Sequence, residues 1–185
     1  GDGALLLELD GHANQALGSR VLGTAFSSDG ALLASGGDDN RIIIWDMETG
    51  RAIQTLEGHI DSVFGIAFSP ECKAPLEVSE TPTCILASTS ADYTVKLWDA
   101  ASGETLFDLE GHQGRVKDVA FSPDGRLVAS MSDDRTVRLW QTADGAPLST
   151  LGGYTGFTNA LTFSSDGALL VTWDWDGVIR IWALP

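Results

Sequence analysis

Histidine, lysine and cysteine are scarce in this 185-residue chain, which holds three His, three Lys and two Cys. So few imidazoles and thiols leave little material for a His-rich or Cys-rich metal site. Basic residues are outnumbered: 11 Lys and Arg face 26 Asp and Glu, a net charge of −15. A nucleic-acid partner needs a basic patch, so this balance excludes one. The same acidity keeps a chain soluble, and it makes basic proteins or peptides the partners to look for. No apolar run approaches the roughly 20 residues of a membrane-spanning helix. No Gly-rich loop leads from a strand into a helix, and no nucleophile elbow is present. No segment keeps the i, i+3, i+4, i+7 pattern over three turns, which excludes a helical architecture. The chain opens on Gly1 rather than Met, the mark of a processed or excised chain, so its compartment stays open.

A repeat is present instead. Phe26 to Trp45, Phe121 to Trp140 and Phe163 to Trp182 are each 19 positions apart, and Phe68 to Trp98 is 30, which is 19 plus an 11-residue insertion. A fixed period near 40 residues signals a repeat architecture. In the third repeat Val116–Ser122, Leu127–Ser132, Val137–Gln141 and Pro147–Leu151 read as strands. Pro123-Asp124-Gly125, Asp133-Asp134-Arg135 and Asp144-Gly145 read as the turns between them. Four short antiparallel strands per repeat predict an all-β propeller blade.

The repeats resemble the WD40 family over nearly the whole chain. Gly11-His12, Gly58-His59 and Gly111-His112 match its Gly-His pairs, and Trp45-Asp46 and Trp98-Asp99 its Trp-Asp pairs. Trp140-Gln141, Trp182-Ala183 and Gly153-Tyr154 depart from the pattern. The resemblance implies a β-propeller of four-stranded antiparallel blades, four per chain, in one domain spanning 1–185. The repeats fall at about 11–57, 58–110, 111–152 and 153–185. It also implies a hydrogen-bonded tetrad in each strong repeat: His12, Ser35, Asp39, Trp45; His59, Ser88, Asp92, Trp98; His112, Ser130, Asp134, Trp140. The fourth repeat offers Tyr154, Thr172, Asp176 and Trp182, a set that cannot form the same tetrad. All three His are then structural. A Ser35, His12, Asp39 triad is the competing catalytic reading, and its recurrence at blade spacing argues against it. Neither catalytic residues, metal nor cofactor is expected. Asp174-Trp175-Asp176-Gly177 has a faint calcium-loop look and reads better as a tight turn.

Family practice also gives the segment 4–9 a role as the outer strand that closes the last blade. Four blades are few for a ring, so a head-to-tail homodimer of eight blades is the expected assembly. A compact four-blade ring and a fragment of a longer protein are the alternatives. The resemblance implies a non-catalytic scaffold that binds proteins or peptides on one loop face; a channel-bound small molecule or ion, or an enzyme, is the alternative. Contact positions carried over from the family are Arg20, Leu22 and Asp38; Ser62, Phe64 and Ala91; Arg115, Lys117 and Asp133; Phe157, Asn159 and Trp175. Trp173 joins them because Gly36, Thr89 and Met131 stand at its matching positions. Cys72 and Cys84 flank the insertion. If it prolongs the first hairpin they face each other as a cross-strand disulfide, which would favour an oxidising compartment. Otherwise they are free thiols in a loop.

Overall fold

A computed structural model describes residues 3–12, 19–79 and 81–184. Most of the extra residues between His12 and Val21 lie outside the described ones. Among the described residues fifteen strands form four antiparallel sheets, each in chain order. The first holds β1 (Val21–Phe26), β2 (Leu32–Gly37), β3 (Ile42–Asp46) and β4 (Arg51–Leu56). The second holds β5 (Val63–Phe68), β6 (Ile85–Ser90), β7 (Val95–Asp99) and β8 (Thr105–Leu109). The third holds β9 (Val116–Phe121), β10 (Leu127–Ser132), β11 (Val137–Gln141) and β12 (Pro147–Leu151). The fourth has three strands, β13 (Thr158–Phe163), β14 (Leu169–Asp174) and β15 (Ile179–Ala183). The inner strands β1, β5, β9 and β13 pack on one another in that order.

Each core lies between two blades, because alternate residues of a strand face opposite sides of the sheet. Ile42 and Ile44 of the first blade pack with Val63, Ile66 and Phe68 of the second. Val95 and Leu97 pack in the same way with Val116, Val119 and Phe121. Val137 and Leu139 pack with Tyr154 and Leu161. The inner strands come very close: a Cβ on Gly23 would stand 1.8 Å from the Phe64 carbonyl oxygen, so only glycine fits there.

The path of the insertion departs from expectation, and the pairing of residues 4–9 between copies stays a proposal. Within one chain residues 4–9 form no strand and do not join β15. Leu7 and Leu9 lie against Gly50, at the turn between β3 and β4. That is the place Phe107 and Leu109 take against Gly145 two blades on, so the segment occupies the position of an outer strand preceding the first blade. It stays there because β13 does not pack closely on β1, which keeps β15 out of reach.

The insertion does not lengthen the hairpin either, since β5 and β6 have six residues each, like β1 and β2. Ser69, Pro70, Glu71 and Cys72 make the ordinary tight turn, with the Cys72 N–H donating to the Ser69 carbonyl at 3.0 Å. The extra residues leave the blade after Cys72 and return at Cys84. A disulfide joins the two, with their Cα atoms 4.2 Å apart, where the other blades have adjacent residues.

Candidate functional site

Polar networks fix the loops at one rim of the blades. His12 Nδ1 donates to Asp39 at 3.0 Å, its Nε2 meets Ser35 Oγ at 2.8 Å, and Trp45 Nε1 donates to the same hydroxyl at 2.8 Å. The second blade repeats this with His59 to Asp92, His59 to Ser88 and Trp98 to Ser88, each at 2.8 Å. In the third, His112 meets Asp134 at 2.9 Å and Ser130 at 2.8 Å, and Trp140 reaches Ser130 at 2.9 Å. Each imidazole thus bridges a carboxylate at Nδ1 and a Ser hydroxyl at Nε2, so both ring nitrogens have a partner.

Electrostatics agree. Burial pushes the His112 imidazole below its ordinary value, against the pull of Asp134. Burial raises the Asp92 carboxyl, but hydrogen bonds from His59 and Thr94 outweigh it and hold the group well below the carboxylate range. Asp134 is lowered likewise: burial opposes, and Thr136, the Gln113 N–H and His112 prevail. Asp118 runs the other way. Its burial on the inner strand raises it, although the Leu161 and Val119 N–H groups donate to it.

The fourth blade is rewired. Tyr154 takes the imidazole's place, its hydroxyl 2.7 Å from Thr172 Oγ1, and Trp182 Nε1 donates to that oxygen at 3.1 Å. Asp176 is left out. The partners of Asp92, His59 and Thr94, correspond to Tyr154 and Val178, neither of which donates to it, so Asp176 accepts from Thr155 Oγ1 at 2.6 Å instead. The segment Asp174-Trp175-Asp176-Gly177 is the turn between β14 and β15. Gly177 takes the left-handed conformation held elsewhere by Asn40, Tyr93 and Arg135. Among the described residues no group of three or more His, Cys, Asp or Glu is placed to hold a metal ion.

One backbone bond per blade brings the rim positions together. Asp38 N–H donates to the Arg20 carbonyl at 3.0 Å, Ala91 to Ser62 at 2.9 Å, Asp133 to Arg115 at 2.9 Å and Trp175 to Phe157 at 3.0 Å. Around them lies a cavity of about 530 Å³ walled by Leu22, Phe64, Arg115, Lys117, Asp133, Phe157, Asn159 and Trp175. Trp175 is 77% exposed and Phe157 57%. Lys117 Nζ sits 4.0 Å from the Phe64 ring centre and 3.8 Å from Asp133.

Five of the expected positions, Arg20, Asp38, Ser62, Ala91 and Trp173, stay outside this wall. Asp38 is closed off by Arg20, whose Nε donates to it at 2.8 Å. Trp173 pairs with Ile179 on the outer sheet face of the fourth blade. It shares the face of Met131, which packs toward the following blade. One recurrent device was missed in the sequence. Ser27, Ser69, Ser122 and Ser164 each accept, through Oγ, the N–H that opens the second strand of their blade, at 2.9 to 3.1 Å. A Ser directly after each repeat Phe was the available signal.

Radially stacked antiparallel sheets, tied by a His–Ser–Trp network and opening a cavity at the loop rim, define a β-propeller of WD-type blades. The WD domain, G-beta repeat profile matches residues 3–46, 50–99, 103–141 and 145–183, and the chain belongs to that family. Over 100 residues it is 40% identical to an uncharacterised WD repeat-containing protein of Schizosaccharomyces pombe, covering 54% of this chain and 21% of that one. It is 42% identical over 102 residues to nuclear distribution protein PAC1 of Arthroderma benhamiae, with 54% and 21% covered. It is 36% identical over 106 residues to the transcriptional corepressor LEUNIG_HOMOLOG of Arabidopsis thaliana, with 57% and 12% covered. The matches thus span about a fifth of these relatives or less. WD repeats generally mediate protein–protein contacts, and the family is in general one of non-catalytic scaffolds. Among the described residues no helix is long and apolar enough to cross a membrane.

Proposed function

We propose that this chain is a non-catalytic scaffold that takes a protein or peptide segment on the rim bearing Phe64, Arg115, Lys117, Phe157 and Trp175. The observation that carries this reading is the pair of exposed aromatics, Trp175 and Phe157, beside a cavity of about 530 Å³. Neither ring has a core to fill, and aromatic and Arg side chains are the usual anchors of an interface. The tetrads serve to hold these loops at fixed heights. A charge of −15 speeds the approach of positively charged partners. The first and fourth blades also leave apolar faces open, and a second copy of the chain is the proposed cover for both.

A pull-down with the wild-type chain and a Trp175→Ala, Phe157→Ala double variant tests the rim. Truncating an anchor costs about 2 kcal/mol or more, roughly thirtyfold in affinity. The double variant should retain its fold by circular dichroism and lose the captured partners. Capture at full strength would remove this rim from consideration.

A further inference from the structure

We propose that the rim cavity is built for a carboxylate lying beside an apolar side chain, the local signature of an acidic–aromatic peptide segment. The inference rests on the reading of the rim as the binding face, and it names the chemistry recognised there. The observation is a surplus cation. In the first blade Arg20 and Asp38 satisfy each other: the Arg20 side chain donates to the carboxylate at 2.8 Å and its backbone N–H at 2.7 Å. The third blade holds the same two residue types, Arg115 and Asp133, joined by the same backbone bond. But Lys117 stands where the first blade has Leu22, and Lys117 is the cation that approaches Asp133, at 3.8 Å. Two cations stand against one carboxylate, and Lys117 is the one that approaches it. The Arg115 guanidinium is exposed and makes no hydrogen bond or ion pair with any described residue.

Two further carboxylates of the third and fourth blades have partners of their own. Asp118 is occupied by the N–H groups of Val119 and Leu161, and Asp176 accepts from Thr155. The twelve rim positions therefore carry three cations, Arg20, Arg115 and Lys117, against two carboxylates, Asp38 and Asp133, on a chain whose net charge is −15. At physiological salt the diffuse negative charge is screened beyond about 8 Å, so at contact the local guanidinium decides the sign of the group accepted. A guanidinium fork matches a carboxylate with two parallel hydrogen bonds. Phe157 and Trp175 supply an apolar seat in the lining of the same cavity. A partner that is basic overall remains compatible, because long-range steering and the contact at Arg115 act at different distances.

The test uses four acetylated pentapeptides, Gly-X-Phe-Leu-Gly. Three are amidated, with X as Glu, Gln or Lys; the fourth has X as Gln and a free terminal carboxylate. Binding is followed by NMR on the intact chain, through the Trp175 indole N–H. The Glu peptide should bind about tenfold tighter than the Gln peptide, with the Lys peptide weakest. Arg115→Gln should erase the Glu-over-Gln preference. If the free-carboxylate peptide matches the Glu peptide, a chain terminus serves as well as a side chain; if only the Glu peptide gains, the site takes the side chain. Equal affinities for the three amidated peptides, a preference for Lys, or no movement of the Trp175 signal would overturn the carboxylate assignment. Failure of the rim itself looks different: captured partners would then survive the Trp175→Ala, Phe157→Ala change.

Discussion

Asp92 and Asp176 hold the same place in their repeats and have different partners. Asp92 accepts from His59 and Thr94, in a network whose imidazole and indole are buried. Asp176 is exposed and accepts from Thr155. Asp92→Ala leaves a buried imidazole donor without its acceptor and should cost about 1–3 kcal/mol. Asp176→Ala removes one solvent-facing bond and should stay within about 0.5 kcal/mol. Urea unfolding of the two variants checks this, and equal losses would show that the network does not distinguish the blades. The same chemistry sets a pH dependence. The folded chain favours neutral His112, whose value is lowered by burial. The stability linked to it is therefore present above about pH 6.5, the unfolded value, and is lost as pH falls from there through the folded value. Asp92 and Asp134, also lowered, add stability present above about pH 3.9 and lost on further acidification. Asp118, raised by burial, acts in the opposite sense and favours the fold as pH falls. An NMR titration of the His112 ring should give a midpoint below 6.5; a midpoint at or above that value contradicts the assignment.

At the scale of the element, the tight turn after each inner strand is the unit that the second blade preserves. Its Ser69 Oγ still accepts the Ile85 N–H at 3.1 Å, although 15 residues separate the two against four between Ser27 and Leu32. The Cys72–Cys84 bond makes this affordable by closing the excursion. The turn also carries a contact between blades, since Ser28 Oγ donates to the Cys72 carbonyl at 2.9 Å. Cross-linking so short a loop restricts the unfolded chain by roughly 3 kcal/mol. Reduction, or a paired Cys72→Ser, Cys84→Ser change, should lower stability by about that amount, read as a shift in the urea midpoint. An unchanged midpoint would mean that the turn holds without its clasp. The sequence made the strands legible because Phe and Trp recur at a fixed spacing, and each is set by a core between blades. It did not make the path of the insertion legible: a lengthened hairpin and an excursion after the turn contain the same residues. Cavity membership was legible only in part. The three contact positions recur at matching places in each repeat, but Trp173 and Trp175 differ by two residues and face different surroundings.

The whole molecule presents the two halves of one more blade junction. Ile179 and Ile181 are 68% and 64% exposed, while their counterparts Val95 and Leu97, and Val137 and Leu139, are buried against the next blade. At the other end Val21 and Phe26 are 51% and 60% exposed, while Val63 and Phe68, and Val116 and Phe121, are buried against the preceding blade. The fourth blade thus offers the apolar set that the first blade lacks, and the first offers the set that the fourth lacks. Two copies set head to tail would join both pairs and give eight blades. Residues 4–9 of each copy, already in the position of an outer strand before the first blade, would then lie beside β15 of the other. Burying an Ile, Val or Phe side chain fully contributes about 1.5–3 kcal/mol, and these are already partly covered, so four per junction contribute roughly 5 kcal/mol. Two junctions together contribute roughly 10 kcal/mol against one association cost of about 4–15 kcal/mol, so strand pairing at residues 4–9 tips the balance and the expected dimer dissociates on dilution. Light scattering should give twice the 19.6 kDa chain mass at tens of micromolar. Ile181→Arg should leave the three internal junctions folded and halve that mass, because it buries a charge at both new junctions and at no existing one. A 19.6 kDa monomer from the wild-type chain across the micromolar range would overturn the two-copy ring. An Ile181→Arg variant with undiminished mass would place the contact between copies elsewhere on the molecule.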